Sequence, residues 1–138
     1  MPNSTYGKFK LSKHQNVLLA HINGPTDVAT IVGSTQDVMP VVTSMGDHWA
    51  SLMDLRDWEL YTDDMIPHLI RFQNWLLKNG HQVEVAIIGK SELKKSAREA
   101  LLNQLDVRPE QVYVETEEQA WQWLLGHGYC TNIPENNE

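Results

Sequence analysis

The chain of 138 residues holds one cysteine, Cys130. A lone thiol cannot close an intrachain disulfide, and Cys130 lies in a polar stretch (YCTNIPENNE) with no neighbouring histidine to activate it. Long apolar runs are missing as well. None approaches the ~18 residues needed to span a bilayer, and the opening MPNSTYGKFK lacks the apolar centre of a signal peptide. These absences lead to the expectation of a cytoplasmic protein without stable membrane insertion. Positive charge is scarce too: 11 Lys and Arg stand against 18 Asp and Glu, a net charge of -7. Nucleic acid and anionic membranes call for clustered cations, so neither is expected as a partner. The one local basic cluster, Lys90 with Lys94, Lys95 and Arg98, is balanced by Glu92 and Glu99.

Catalytic signatures are absent in the same way. The six histidines (His14, His21, His48, His68, His81, His127) show no HxH, HxxxH or HExxH spacing, so no pair is set on one face as a metal site. GxSxG, Walker and GxGxxG patterns do not occur, so neither a cofactor nor a phosphate cradle is expected. Paired-carboxylate catalysis needs two acids converging on a cleft, one with a raised pKa. Asp54, Asp57 and Glu59 are the candidates. The plainer expectation is that Asp54 receives backbone hydrogen bonds in the loop after its strand while Asp57 and Glu59 face water.

What the sequence does hold is regular alternation. With 41% hydrophobic residues and no compositional break before the end, residues 1–129 are expected to form one domain and residues 130–138 a polar, frayed C-terminal tail. Residues 6–12 and 17–22 read as strands of a hairpin around His14-Gln15-Asn16, and Asn23-Gly24-Pro25 ends the second. Thr26 and Asp27 open a helix running to about Met45, weakened, kinked or split by Gly33 and Pro40. A short apolar strand covers residues 49–55. Thr62 caps the next helix, whose first positions Asp63 and Asp64 suit the positive end of the helix dipole, and Asn79-Gly80 stops it. VEVAII, residues 83–88, is the clearest buried strand. A helix over residues 91–105 follows, then a strand over 112–114, then a helix opened by the capping box Thr116-Glu-Glu-Gln119. The order ββαβαβαβα predicts an α/β fold with a mixed sheet of about five strands and about four helices.

The stretch SLMDLRDWELYTDDM, residues 51–65, concentrates polar groups beside apolar surface. Asp54, Arg56, Asp57, Trp58, Glu59, Thr62 and Asp63 are its candidate ligand or partner surface, with Trp58 as apolar anchor. Tryptophan is abundant, five in all, and core packing is the default for each. On the last helix, Ala120, Trp123 and Leu124 share one face at i, i+3 and i+4. That leaves Trp121 and Leu125 toward the rim as candidates for a partner or homodimer contact.

The strand ending LMDLRDWELYT, an amphipathic helix, VEVAIIG, another helix and VYVETEEQAWQWLL together resemble the bacterial SpoIIAA-like family. Its members are mostly uncharacterised, and its fold is related to STAS domains and to the lipid-binding CRAL-TRIO module. The resemblance covers roughly residues 6–125 and rests on Asp54-Leu55 with Trp58 and Thr62, and on Glu118, Ala120, Trp123 and Leu124. It implies helices packed mainly on one face of the sheet. It also implies a non-enzymatic binding protein that carries or senses a small nonpolar ligand between helices and sheet. The alternative is a regulatory protein-interaction module docking a protein partner through residues 56–64. STAS proteins that antagonise anti-sigma factors carry a phosphorylatable serine in an Asp-Ser motif, which falls here on Thr62-Asp63. Asp63 stands where that serine would be, so the usual phosphoswitch is absent.

Overall fold

Among the described residues five strands form one sheet, ordered first, second, third, fifth and sixth in the chain, and the short fourth pairs with the far end of the second. The structure, a computed structural model, describes residues 8–26 and 28–135. In chain order the elements are β1 (Lys8–His14), β2 (Val17–Thr26), α1 (Val28–Thr43), β3 (Trp49–Asp54), β4 (Trp58–Tyr61), a single 3-10 turn (Asp63–Met65), α2 (Ile66–Lys78), β5 (His81–Ile87), α3 (Glu92–Leu102), β6 (Glu110–Val114) and α4 (Glu117–Gly126). β1 and β2 form the expected antiparallel hairpin, while β2/β3, β3/β5 and β5/β6 are parallel. Parallel strands need crossover connections, and the helices supply them.

Strand alternation divides the core. Val17, Ala50, Leu52, Val83, Val85 and Ile87 point to one face and pack against Ala120, Trp121 and Leu124 of α4. On the other face, Leu18 and Trp49 pack with Val38 and Val42 of α1 and Leu76 of α2. Ala97 and Leu101 bring α3 onto this same side, against Ala86 and Ile88 and against Met65 and Leu69 respectively. Among the described residues, three helices therefore cover one face and one covers the other.

Several elements differ from the sequence reading. Asn23-Gly24-Pro25 does not end β2, which continues to Thr26 because Gly24 takes a positive φ of 83° and its N–H donates to the Asp57 carbonyl at 2.8 Å. That continuation creates the pairing for β4, with Gly24 opposite Trp58. The helix start assigned to Thr26 and Asp27 falls partly outside the described residues, as does Tyr6. Pro40 does not split α1, which runs unbroken from Val28 to Thr43. Val38 and Val42, each 1% exposed, hold both sides of the proline on the sheet. Thr62 precedes the helix but caps no backbone N–H; its hydroxyl donates instead to the Asp64 carboxylate, and α2 begins only at Ile66 behind the 3-10 turn.

The exposure expected of Trp121 is not found. It is 2% exposed, and Trp123 is the half-buried one. The hairpin explains the difference, since the His14 ring meets Trp121 edge-on at 5.5 Å, while Trp123 stacks on His127 at 3.7 Å. Leu125 is half-buried against the same core. The start of the tail is not frayed either: Cys130 is buried, Thr131 N donates to Gln15 Oε1 at 2.7 Å, and Asn132 Oδ1 receives the Gln15 amide at 3.0 Å.

Gly80, between α2 and β5, has φ of 103°, and a Cβ there would sit 2.5 Å from the Gly46 carbonyl oxygen. The crossing of these two loops therefore requires glycine. Gly80→Ala is expected to lower the unfolding free energy by at least about 2 kcal/mol, combining backbone strain with an unrelieved clash. The midpoint of urea denaturation measures it.

Candidate functional site

β3 ends at Asp54 because the next residues turn away from the sheet, with Leu55 N still donating to Ile87 O at 2.9 Å and Trp58 N closing onto Leu55 O at 3.2 Å. Within that turn Arg56 folds back on Asp54. Its Nε donates to Oδ1 at 2.9 Å, its Nη2 to Oδ2 at 2.7 Å, and its backbone N–H to Oδ1 at 3.2 Å. Partial burial works to raise the Asp54 pKa, but the Arg56 hydrogen bonds and charge outweigh it and hold the carboxyl below its ordinary range. The Arg56 carbonyl accepts from Lys94 Nζ of α3 at 2.5 Å, and its guanidinium approaches Glu117 of α4 at 3.8 Å. Asp57 pairs with His21 of β2, Nε2 to Oδ2, at 2.9 Å. Four elements thus grip one short turn.

The residues singled out in sequence do come together, but they divide between two sides. Trp58 is buried, its ring 4.7 Å from that of Tyr61, while Glu59, Thr62, Asp63 and Asp64 are exposed. Leu60 sits at φ 81°, a left-handed conformation that costs a leucine about 1–3 kcal/mol and is tolerated only where surrounding contacts enforce it. Asp57 is engaged by histidine, and Asp54 by an arginine that holds its pKa down instead of raising it as a general acid requires. Asp57 and Glu59 face water as expected. Among the described residues no group of three or more His, Cys, Asp or Glu side chains is arranged to hold a metal ion.

Behind the turn, under α1, α2 and α3, lies a polar cluster that sequence reasoning missed. Arg98, grouped in sequence with Lys90, Lys94 and Lys95 as a local basic cluster, is 5% exposed. Its Nε and Nη2 donate to the two oxygens of Glu84 at 2.8 and 2.5 Å, and its Nη1 donates to Tyr61 Oη at 2.7 Å. Gln111 Nε2 supplies a further bond to Glu84 at 2.8 Å. Burial alone would raise the Glu84 pKa; the Arg98 charge and these hydrogen bonds reverse that and hold it down. Nearby, His81 Nε2 and Ser51 Oγ are 2.9 Å apart, and the Gln73 amide meets Nδ1 at 3.3 Å. Trp49 stacks on the imidazole at 4.7 Å. Burial lowers the His81 pKa to about 4, so the ring is neutral near pH 7. The available signal was Glu84 itself, the one charge within VEVAII, where a doubly covered strand should be apolar.

Ser51, Tyr61, Gln73, His81, Glu84 and Arg98 border a cavity of about 60 Å³ whose remaining wall is apolar, including Ala20, Met53, Trp58, Leu69 and Phe72. Left empty, such a volume costs on the order of 1.5 kcal/mol at ~24 cal/mol per Å³.

No family model and no curated protein matches this sequence. Solved structures do match its fold. An uncharacterized DUF3478-family protein from Shewanella loihica aligns over 90% of this chain and 98% of its own, with a TM-score of 0.65 at 16% identity. SpoIIAA, an anti-sigma factor antagonist in its unphosphorylated form, aligns over 86% of this chain and 99% of its own, at 0.60 and 10%. An anti-sigma factor antagonist from Mycobacterium paratuberculosis aligns over 84% and 92%, at 0.53 and 18%. The chain has the SpoIIAA-like fold. In its terms, the turn after β3 and the start of α2 are the strand-to-helix joint on which the sequence resemblance rested.

Two outcomes follow from the buried cluster. Arg98→Met removes the cation and leaves Glu84 buried without it, so a loss of about 3–5 kcal/mol is expected in urea denaturation. The His81 pKa is depressed from 6.5 to about 4 in the folded state. Between those values the unfolded chain binds the extra proton, so stability is complete above pH 6.5 and declines as pH falls toward 4, by about 3 kcal/mol. Glu84, whose folded pKa is also depressed, adds its loss only below about 4.5. Denaturation from pH 7 to 4.5 should show the slope, and His81→Asn should flatten it.

Proposed function

We propose that the chain is a regulatory protein-interaction module of the STAS type, docking a partner protein through residues 56–64 and lacking the usual phosphoserine switch. The observation that carries this reading is the turn itself. It is gripped from β2, β3, α3 and α4, yet it turns Asp57, Glu59, Thr62, Asp63 and Asp64 outward. A surface already held in place loses little conformational entropy on binding. The strained Leu60 lies in the middle of it, as strained residues do at binding sites. Two of the structural neighbours are anti-sigma factor antagonists, which supports the same reading. Four exposed acids in eight residues favour a partner with a basic face.

Asp63 puts a permanent charge where the resembled switch has serine, so docking is expected to be constitutive toward phosphorylation. Carriage of a lipid-sized ligand is less favoured, because the cavity of about 60 Å³ is far below the ~300–1,000 Å³ typical of such pockets.

The test is a pull-down with the full chain and with Asp57→Lys, Glu59→Lys and Asp63→Lys combined. Loss of captured partner by about tenfold or more, with an unchanged melting temperature, is the expected result. Equal capture by the triple variant rejects this surface.

A further inference from the structure

A larger cleft, of about 370 Å³, opens on the other face of the sheet, the face that carries α4. Its volume lies within the ~300–1,000 Å³ typical of small-molecule sites. Helix α4 packs on β3 and β5 and reaches His14 at the β1–β2 turn through Trp121, and among the described residues it leaves His21 of β2 and the stretch of β1 beside it uncovered. Strand register sets the lining. Lys10 of β1 pairs with His21 of β2, and His21 with Asp54 of β3, so the three side chains stand in one row on this face. Ser12, Leu19 and Leu52 form the row behind, and Leu19 and Leu52 join Ile87 of β5 in an apolar floor. Glu117 of α4 stands at the Asp54 end.

The two ends of the cleft carry opposite charge. At the β1 end, neither the Lys10 ammonium nor the Ser12 hydroxyl has a partner among the described residues. At the α4 end two carboxylates share one guanidinium: Arg56 Nη2 is 2.7 Å from Asp54 but 3.8 Å from Glu117, and Lys94, which comes from the far face, is held at the Arg56 carbonyl. Between the ends His21 is paired with Asp57. An anion alone would meet the carboxylates and a cation alone would meet Lys10, so the complementary ligand bears both charges. β1 and β3 are two strand spacings apart, about 10 Å. With a hydrogen bond of about 3 Å at each end, several carbons must separate those charges.

We propose that this cleft binds a small zwitterion, an ω-amino acid of about four to six carbons, with its carboxylate on Lys10 and Ser12, its ammonium at Glu117 and Asp54, and its methylenes over Leu19 and Leu52. The site lies on the opposite face from the buried Glu84–Arg98 cluster, and binding there needs no docked protein.

The experiment is an amide NMR titration of the full chain with δ-aminovalerate. Its comparators are valerate, which lacks the ammonium, pentylamine, which lacks the carboxylate, and norvaline, the isomer with its two charges on adjacent carbons. Saturable shifts with δ-aminovalerate at the amides of Lys10, Ser12, His21 and Glu117 are expected, with each comparator at least about tenfold weaker. Lys10 and Glu117 are exposed, so Lys10→Met and Glu117→Gln should keep the dispersed spectrum of a folded protein while each weakens δ-aminovalerate about tenfold. If δ-aminovalerate gives no saturable shift, or binds both variants as tightly as the unaltered chain, the site is refuted. Equal affinity for valerate or pentylamine refutes the zwitterion, and equal affinity for norvaline refutes the separation of its charges.

Discussion

A carboxylate in the middle of a buried parallel strand must be answered by a cation, and the arrangement around Glu84 follows from that requirement. Glu84 is 1% exposed, and it is the one acid buried among the described residues. Arg98 answers it with two parallel hydrogen bonds, a geometry that a guanidinium can supply and an ammonium cannot. Fixing Arg98 fixes the rotation of α3 against β5. Its remaining reach fixes Tyr61, and Tyr61 ends β4. A pair in the interior thereby sets where a surface turn begins.

The turn is held from outside by a second set of charges with a different energetic character. Asp54–Arg56 and His21–Asp57 are partly exposed pairs, each worth little against solvent, but together they leave few alternative paths for residues 55–58. Inner and outer constraints meet at β4, whose alternation sends Trp58 inward and Glu59 outward. The exposed Glu59 carboxylate and the buried Trp58 ring thus lie on opposite sides of the same short strand.

Local chemistry explains why much of this was readable beforehand. The capping box at Thr116 and Gln119 forms as expected, with Gln119 N donating to Thr116 Oγ1 at 3.1 Å and the Gln119 side chain returning to the Thr116 N–H. Ser91 caps α3 in the same way, accepting from Lys94 N. Such signals operate within four residues and need no distant partner. Thr62 shows the limit: its residue type suits a cap, but Asp64 captures its hydroxyl and the backbone takes a 3-10 turn instead. β4 was unreadable because its pairing depends on β2 running past Gly24, some thirty residues earlier, and on the Asp57 carbonyl meeting that glycine.

By itself the sequence determined the main alternation of strands and helices, the capped starts of α3 and α4, the burial of VEVAII and the clustering of polar residues between Asp54 and Asp63. Each follows from periodicity or from side chains acting on neighbouring backbone. Only the tertiary structure decided that Arg98 leaves the lysines beside it to pair with Glu84, that Trp121 rather than Trp123 turns inward beneath His14, and that Trp58 and Tyr61 wall a cavity. Those outcomes depend on which distant surface arrives to accept a side chain, and spacing along the chain does not encode that arrival.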